Sequence, residues 1–187
     1  MRLLTFQPWL NLQPRSVMSI LQQNGNRQND LLISRDNPKG DEHAGSYWNI
    51  QTQYEKMRNL VLEKYDKVWV VEADMIVPDD ALEKLCEVDA PVVSGIYLLR
   101  HNSYRPNTFG ERGKYPIMEV GGAAMGCLLI DRSVLEGFSF LLSECKAPDG
   151  EFMRYCREKG FRQMARFDVP CGHITATGEV LWPNSQT

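Results

Sequence analysis

A chain of 187 residues suits one domain with a real core, since about 150 residues already bury roughly 70% of the surface their unfolded form exposes. A net charge of -3, with no basic block and no Lys/Arg stripe interleaved with aromatics, argues against nucleic acid as the main partner. No apolar run approaches the ~18 residues needed to span a bilayer, so no membrane span is expected.

The opening Met1 to Pro8 is too short and too soon interrupted to read as a signal peptide. Five cysteines (Cys86, Cys127, Cys145, Cys156, Cys171) form no CxxC pair, and an odd number argues against a disulfide framework. The expectation is a cytoplasmic protein with reduced thiols.

Leu3 to Phe6 reads as a first strand, closed by Gln7-Pro8. Helical spacing of Val17, Ile20 and Leu21 after Pro14 predicts a helix over roughly 14–23. Asn24-Gly25-Asn26 is a turn signal. Asp30 to Ser34 is a second buried strand, ending at Arg35-Asp36-Asn37-Pro38, and Lys39 to Ser46 is loop. Ile50, Tyr54, Met57, Leu60, Val61 and Tyr65 share one stripe of a helix over 47–65. The run Val68-Trp69-Val70-Val71 has the residues of a strand covered on both faces.

Helix is expected near 79–88 and strand over 90–99, with loop from Arg100 to Lys114. Tyr115 to Val120 reads as a short edge strand, and Gly121 to Ile130 as a glycine-rich approach to a buried one. Asp131 to Ser133 caps a short helix. Asp149 to Lys159 is a helix closed by Gly160, the expected C-terminal signal. Phe161 to Pro170 is a last strand, leading to Cys171-Gly172-His173. Residues 176–187 read as a loosely held tail beyond a single domain over 1–175. Alternation of strands and helices in the first half implies an α/β fold of doubly wound type, with a mostly parallel central sheet flanked by helices.

Chemistry concentrates at Glu72-Ala73-Asp74. Two carboxylates two residues apart on a strand project to one side. At a strand end they face the crevice where open α/β sheets bind ligands, and such a pair suits a hard divalent cation held against phosphates. The same residues also read as an acidic strand end followed by a helix cap.

The order of these parts resembles a small glycosyltransferase of the GT-A fold, a Rossmann-like architecture, close to the family 2-like enzymes in a compact bacterial or phage form. The resemblance covers roughly residues 1–175. It rests on a strand ending at Asp36, the pair Arg58-Asn59, the DxD-like Glu72-Ala73-Asp74, the segment Gly121-Gly122, Asp149 and a late His173. It implies a nucleoside-diphosphate sugar as donor, a glycan or other hydroxyl as acceptor, and Mn²⁺ or Mg²⁺ as cofactor. The cation neutralises the charge that develops on a leaving diphosphate.

On that resemblance Asp74, Glu72 and His173 would ligate the metal, with residues 74 and 173 converging on one cation. An imidazole ligand favours Mn²⁺ over the all-oxygen shells of Mg²⁺. Asp36, Arg58, Asn59, Glu72, Ala73, Gly121 and Gly122 would bind the nucleotide-sugar. Asp149 would act as general base, with Glu151 a second candidate, since Pro148 stands where the family has another acid. A base on the acceptor side implies inversion at the anomeric carbon.

Each residue also has a plainer reading. Asp149 serves as an N-cap, His173 as a core histidine, the glycines as a tight turn, Asp36 as part of an Asp-Asn-Pro turn, and Arg58 as a solvated helix residue. Arg100-His101 reads as surface loop or phosphate contact, and the methionines as core filler. Two rival functions stand beside the transferase. One is a binding module that holds a nucleotide-sugar or glycan without turnover. The other is a nucleotidyltransferase, against which the glycine-free Gln7 to Leu10 counts.

Overall fold

A computed structural model describes residues 1–8, 13–23, 29–34, 47–100, 105–142 and 146–183. Its centre is an eight-stranded sheet. β1 (Leu3–Pro8) lies between β2 (Asn29–Ser34) and β3 (Lys67–Val71) and runs parallel to both. β10 (Cys127–Asp131) inserts antiparallel between β3 and β5 (Val92–Ile96). β11 (Gln163–Pro170) runs parallel to β5, and β8 (Ile117–Glu119) and β7 (Arg112–Lys114) follow as an antiparallel edge.

The sheet is therefore mixed, with three parallel and four antiparallel neighbour pairs, where the sequence predicted a mostly parallel one. The cause is β10. Its Cys-Leu-Leu-Ile run is apolar throughout, so it reads as a buried strand without disclosing its direction.

Side-chain alternation divides the core into two layers. Leu4, Phe6, Val68, Val70, Leu128 and Ile130 face α2 (Tyr47–Lys64), α4 (Arg132–Leu135) and α5 (Pro148–Glu158). Leu3, Trp69, Val71, Val93 and Leu129 face the opposite side, with α1 (Pro14–Leu21) and α3 (Ala81–Cys86). Val68 to Val71 are each fully buried because both faces are covered. Each such aliphatic side chain contributes roughly 1.5–3 kcal/mol on burial.

Helix ends follow local chemistry. Past α5, Gly160 takes a φ of 71°, donates to Arg157 O at 3.1 Å, and lets Phe161 N–H reach Cys156 O at 2.9 Å. The N-cap residue of α3, Asp80, does not cap the helix with its side chain. Gln23 does, its Oε1 accepting from Leu82 N–H at 3.0 Å, while its Nε2 donates to Pro78 O.

Two small sheets complete the fold. β4 (Met75–Ile76), β12 (Gly172–Ile174) and β13 (Val180–Leu181) form one, so part of the segment expected as a loose tail is a paired strand. β6 (Thr108–Phe109) and β9 (Gly122–Ala123) form the other. Strands of two residues are too short for any alternation to reveal. Among the described residues Cys86, Cys127, Cys156 and Cys171 are free thiols, and no helix is long and apolar enough to cross a membrane.

Candidate functional site

β3 ends at Val71, so Glu72 and Asp74 do not share a pleated face as predicted. They sit in a turn closed by Met75 N–H on Glu72 O at 3.0 Å, and Glu72 N–H is held by Gly126 O at 2.9 Å. Ala73 is buried at the tip of this turn. The chain then pairs at once with β12, where His173 lies opposite Met75 and Ile174 N–H donates to Asp74 O at 2.8 Å. Backbone bonds thus fix positions 74 and 173 beside each other. Asp74 Oδ2 is 3.5 Å from His173 Nε2.

His173 is buried, 5% exposed. Its Nδ1 donates to Leu98 O at 2.6 Å, and its Nε2 faces Asp74 Oδ2 across 3.5 Å. The edge of the ring meets Tyr97 at 5.4 Å between centroids. Tyr97 is itself fixed by Gly126 N–H donating to its hydroxyl at 3.0 Å. Arg100 Nη2 donates to Asp74 Oδ2, and Nη1 reaches Ile174 O at 3.5 Å. The sequence reads Arg100 as surface loop or phosphate contact.

Glu72 turns inward. Its Oε1 accepts from the Tyr54 hydroxyl at 2.9 Å. Burial, reinforced by the charges of Asp74 and Asp149, pushes its carboxyl up to about 8. Tyr54 is fully buried on α2, and burial, with the charges of Glu72 and Asp149, holds its phenol well above the ordinary range. The sequence shows Tyr54 only as one member of a core stripe. A buried Tyr nonetheless requires a hydrogen-bond partner, and that is the signal that points to the site.

Asp149 occupies the first turn of α5, whose cap is Ala147 and not Asp149. The start of this helix is fixed from α2, where Gln51 Nε2 donates to Lys146 O at 2.8 Å. Burial raises the Asp149 carboxyl above its ordinary value. Its charge adds to the upward shifts of Glu72, Tyr54 and Tyr97.

Other predicted residues lie elsewhere. Glu151 pairs with the exposed Arg154 on the outer side of α5, because residues two apart on a helix do not face the same way. Arg58 ties α2 to α4, donating from Nε to Leu135 O at 2.9 Å, and to Glu55 and Asn59. Those bonds give Arg58 and Asn59 partners within the protein itself. Gly121 and Gly122 pack under Phe109, and a β-carbon on Gly122 would lie 2.6 Å from the ring. Their small size serves that contact. Asp36, His101 and Cys145 lie outside the described residues.

Among the described residues no group of three His, Cys, Asp or Glu is placed to hold a metal ion. Asp74 and His173 nonetheless have the donor chemistry for two positions. Asp74 Oδ1 and His173 Nε2 are both buried without a hydrogen-bond partner, an arrangement costly enough to need an explanation such as an ion. A ligating histidine characteristically donates its other ring nitrogen to a backbone carbonyl, as His173 does to Leu98. Two protein ligands suffice where phosphates and water complete the shell.

No family model matches the sequence, and no curated protein does. The fold has relatives among solved structures. The crystal structure of A197 from STIV superposes with a TM-score of 0.67 over 100% of this chain and 96% of that one, at 17% identity. Similarity at this level establishes a shared fold and leaves activity to the residues of the site.

Proposed function

We propose that the chain is a GT-A-type, metal-dependent glycosyltransferase that moves a sugar from a nucleoside-diphosphate donor to an acceptor hydroxyl with inversion. One observation carries this reading: Asp74 and His173 face each other across 3.5 Å, each with a buried polar atom left unpartnered. These two residues would hold Mn²⁺ or Mg²⁺. When bound, the cation supplies positive charge against the oxygens of the departing diphosphate.

The chain's own groups account for the remaining steps. Asp149, partly withdrawn from water, is a stronger base than an exposed carboxylate. It takes the proton of the acceptor hydroxyl as that oxygen bonds to the anomeric carbon. The bond from that carbon to the diphosphate oxygen breaks on the opposite face, which inverts the centre. Glu72, held by Tyr54 behind the turn, acts on the site through its position.

The test is thermal stability with nucleoside diphosphates, with and without Mn²⁺. A ligand at 100 times its Kd adds ~2.7 kcal/mol. Stabilisation by one diphosphate that requires Mn²⁺ and vanishes in Asp74→Asn supports the transferase. Metal-independent stabilisation identifies a binding module instead, a reading favoured by the inward turn of Glu72 onto Tyr54. A preference for triphosphates identifies nucleotidyl transfer.

A further inference from the structure

We infer that Arg100 and the divalent cation compete for the same oxygen of Asp74, and that the cation's arrival redirects Arg100 to the donor's diphosphate. The inference rests on the transferase reading and assigns that site a residue with two alternative partners.

The geometry is specific. Arg100 Nη2 bonds Asp74 Oδ2, the same oxygen that lies 3.5 Å from His173 Nε2. The guanidinium therefore stands against the oxygen nearest the imidazole nitrogen. Its other anchor among the described residues is long, 3.5 Å from Nη1 to Ile174 O. The Arg100 side chain is 37% exposed against 20% for Asp74, and an ion pair this open to water holds weakly.

Charge gives the exchange its direction. Asp74 already holds one positive charge, that of Arg100. A cation on Asp74 repels the guanidinium from that position. A bound diphosphate then offers oxygens that match the fork of an arginine better than one shared carboxylate oxygen does. Arg100 thus opposes the metal when it binds alone and assists the diphosphate once the metal is in place.

This predicts opposite effects on two ligands from one substitution. In Arg100→Ala, calorimetric titration with Mn²⁺ alone should show binding about 5–10-fold tighter than wild type. Inorganic pyrophosphate, titrated at saturating Mn²⁺, should bind roughly 10-fold weaker or worse. Arg100→Gln, which keeps a neutral donor, should move both affinities in the same directions and guards against a folding defect in the alanine variant. Unchanged or weaker Mn²⁺ binding in both variants overturns the inference, because Arg100 then only holds the site's shape. Asp74→Asn is the control. If wild-type Mn²⁺ binding survives it, the transferase reading fails; if binding depends on Asp74 but ignores Arg100, this inference alone fails.

Discussion

The Tyr54 hydroxyl donates to Glu72 Oε1 at 2.9 Å, joining the middle of α2 to the turn that carries the site. The bond lowers the Glu72 carboxyl against the larger upward effect of burial. Tyr54→Phe keeps the ring that packs on Phe6 and Phe140 and removes only the donor. A hydrogen bond to a charged group contributes about 1.5–3 kcal/mol, and one between neutral groups about 0.5–1.5. Urea unfolding should therefore show a greater loss at pH 9, where Glu72 is ionised, than at pH 6.

Glu72 also sets a slope of stability against pH. Its carboxyl rises from an ordinary 4.5 to about 8, so between those values the folded chain holds a proton that the unfolded chain has lost. Stability from this group is complete below about 4.5 and falls as pH rises toward about 8. Each pKa unit corresponds to about 1.4 kcal/mol, so the fall is on the order of a few kcal/mol. Glu72→Gln should abolish that slope and leave the variant more stable than wild type at pH 8.5, as denaturant melts at pH 5 and 8.5 would show.

Asp149 separates base catalysis from structure. Because Ala147 occupies the cap position, Asp149→Asn should leave α5 intact. Turnover of a nucleotide-sugar should drop about 10²–10⁴-fold, the range for loss of a general base. Diphosphate affinity measured by calorimetry should stay within about 2-fold of wild type by the same argument. A parallel loss of donor binding would return Asp149 to a structural role.

Gly122→Ala tests why two glycines adjoin the crevice. The new methyl would sit 2.6 Å from Phe109 Cε1 and 2.8 Å from Met153 Sδ. Overpacking of this kind costs roughly 1–3 kcal/mol. Adding Phe109→Ala should restore most of that stability in urea melts. Failure of the second change to compensate would mean that Gly122 answers to something other than the Phe109 ring.

Much of the scaffold is legible from residue pattern alone. Val68 to Val71 announces a strand covered on both faces, and Gly160 marks a helix end because its backbone must turn left-handed. Tertiary choices leave no local trace. Nothing in Cys127 to Asp131 says that β10 runs against its neighbours. Nothing in Arg58 says that it reaches α4, 77 positions away. The site divides in the same way. Asp74 and His173 stand out as chemical types at strand ends, whereas Tyr54 resembles an ordinary core residue until folding brings it to Glu72.

The rung from Ile174 N–H to Asp74 O has an evolutionary corollary. Main-chain pairing does not depend on the identity of the side chains around it, so the jaws of the crevice keep their spacing while neighbouring positions drift. A lineage built this way can lose nearly every recognisable word of its sequence and still keep the same grip.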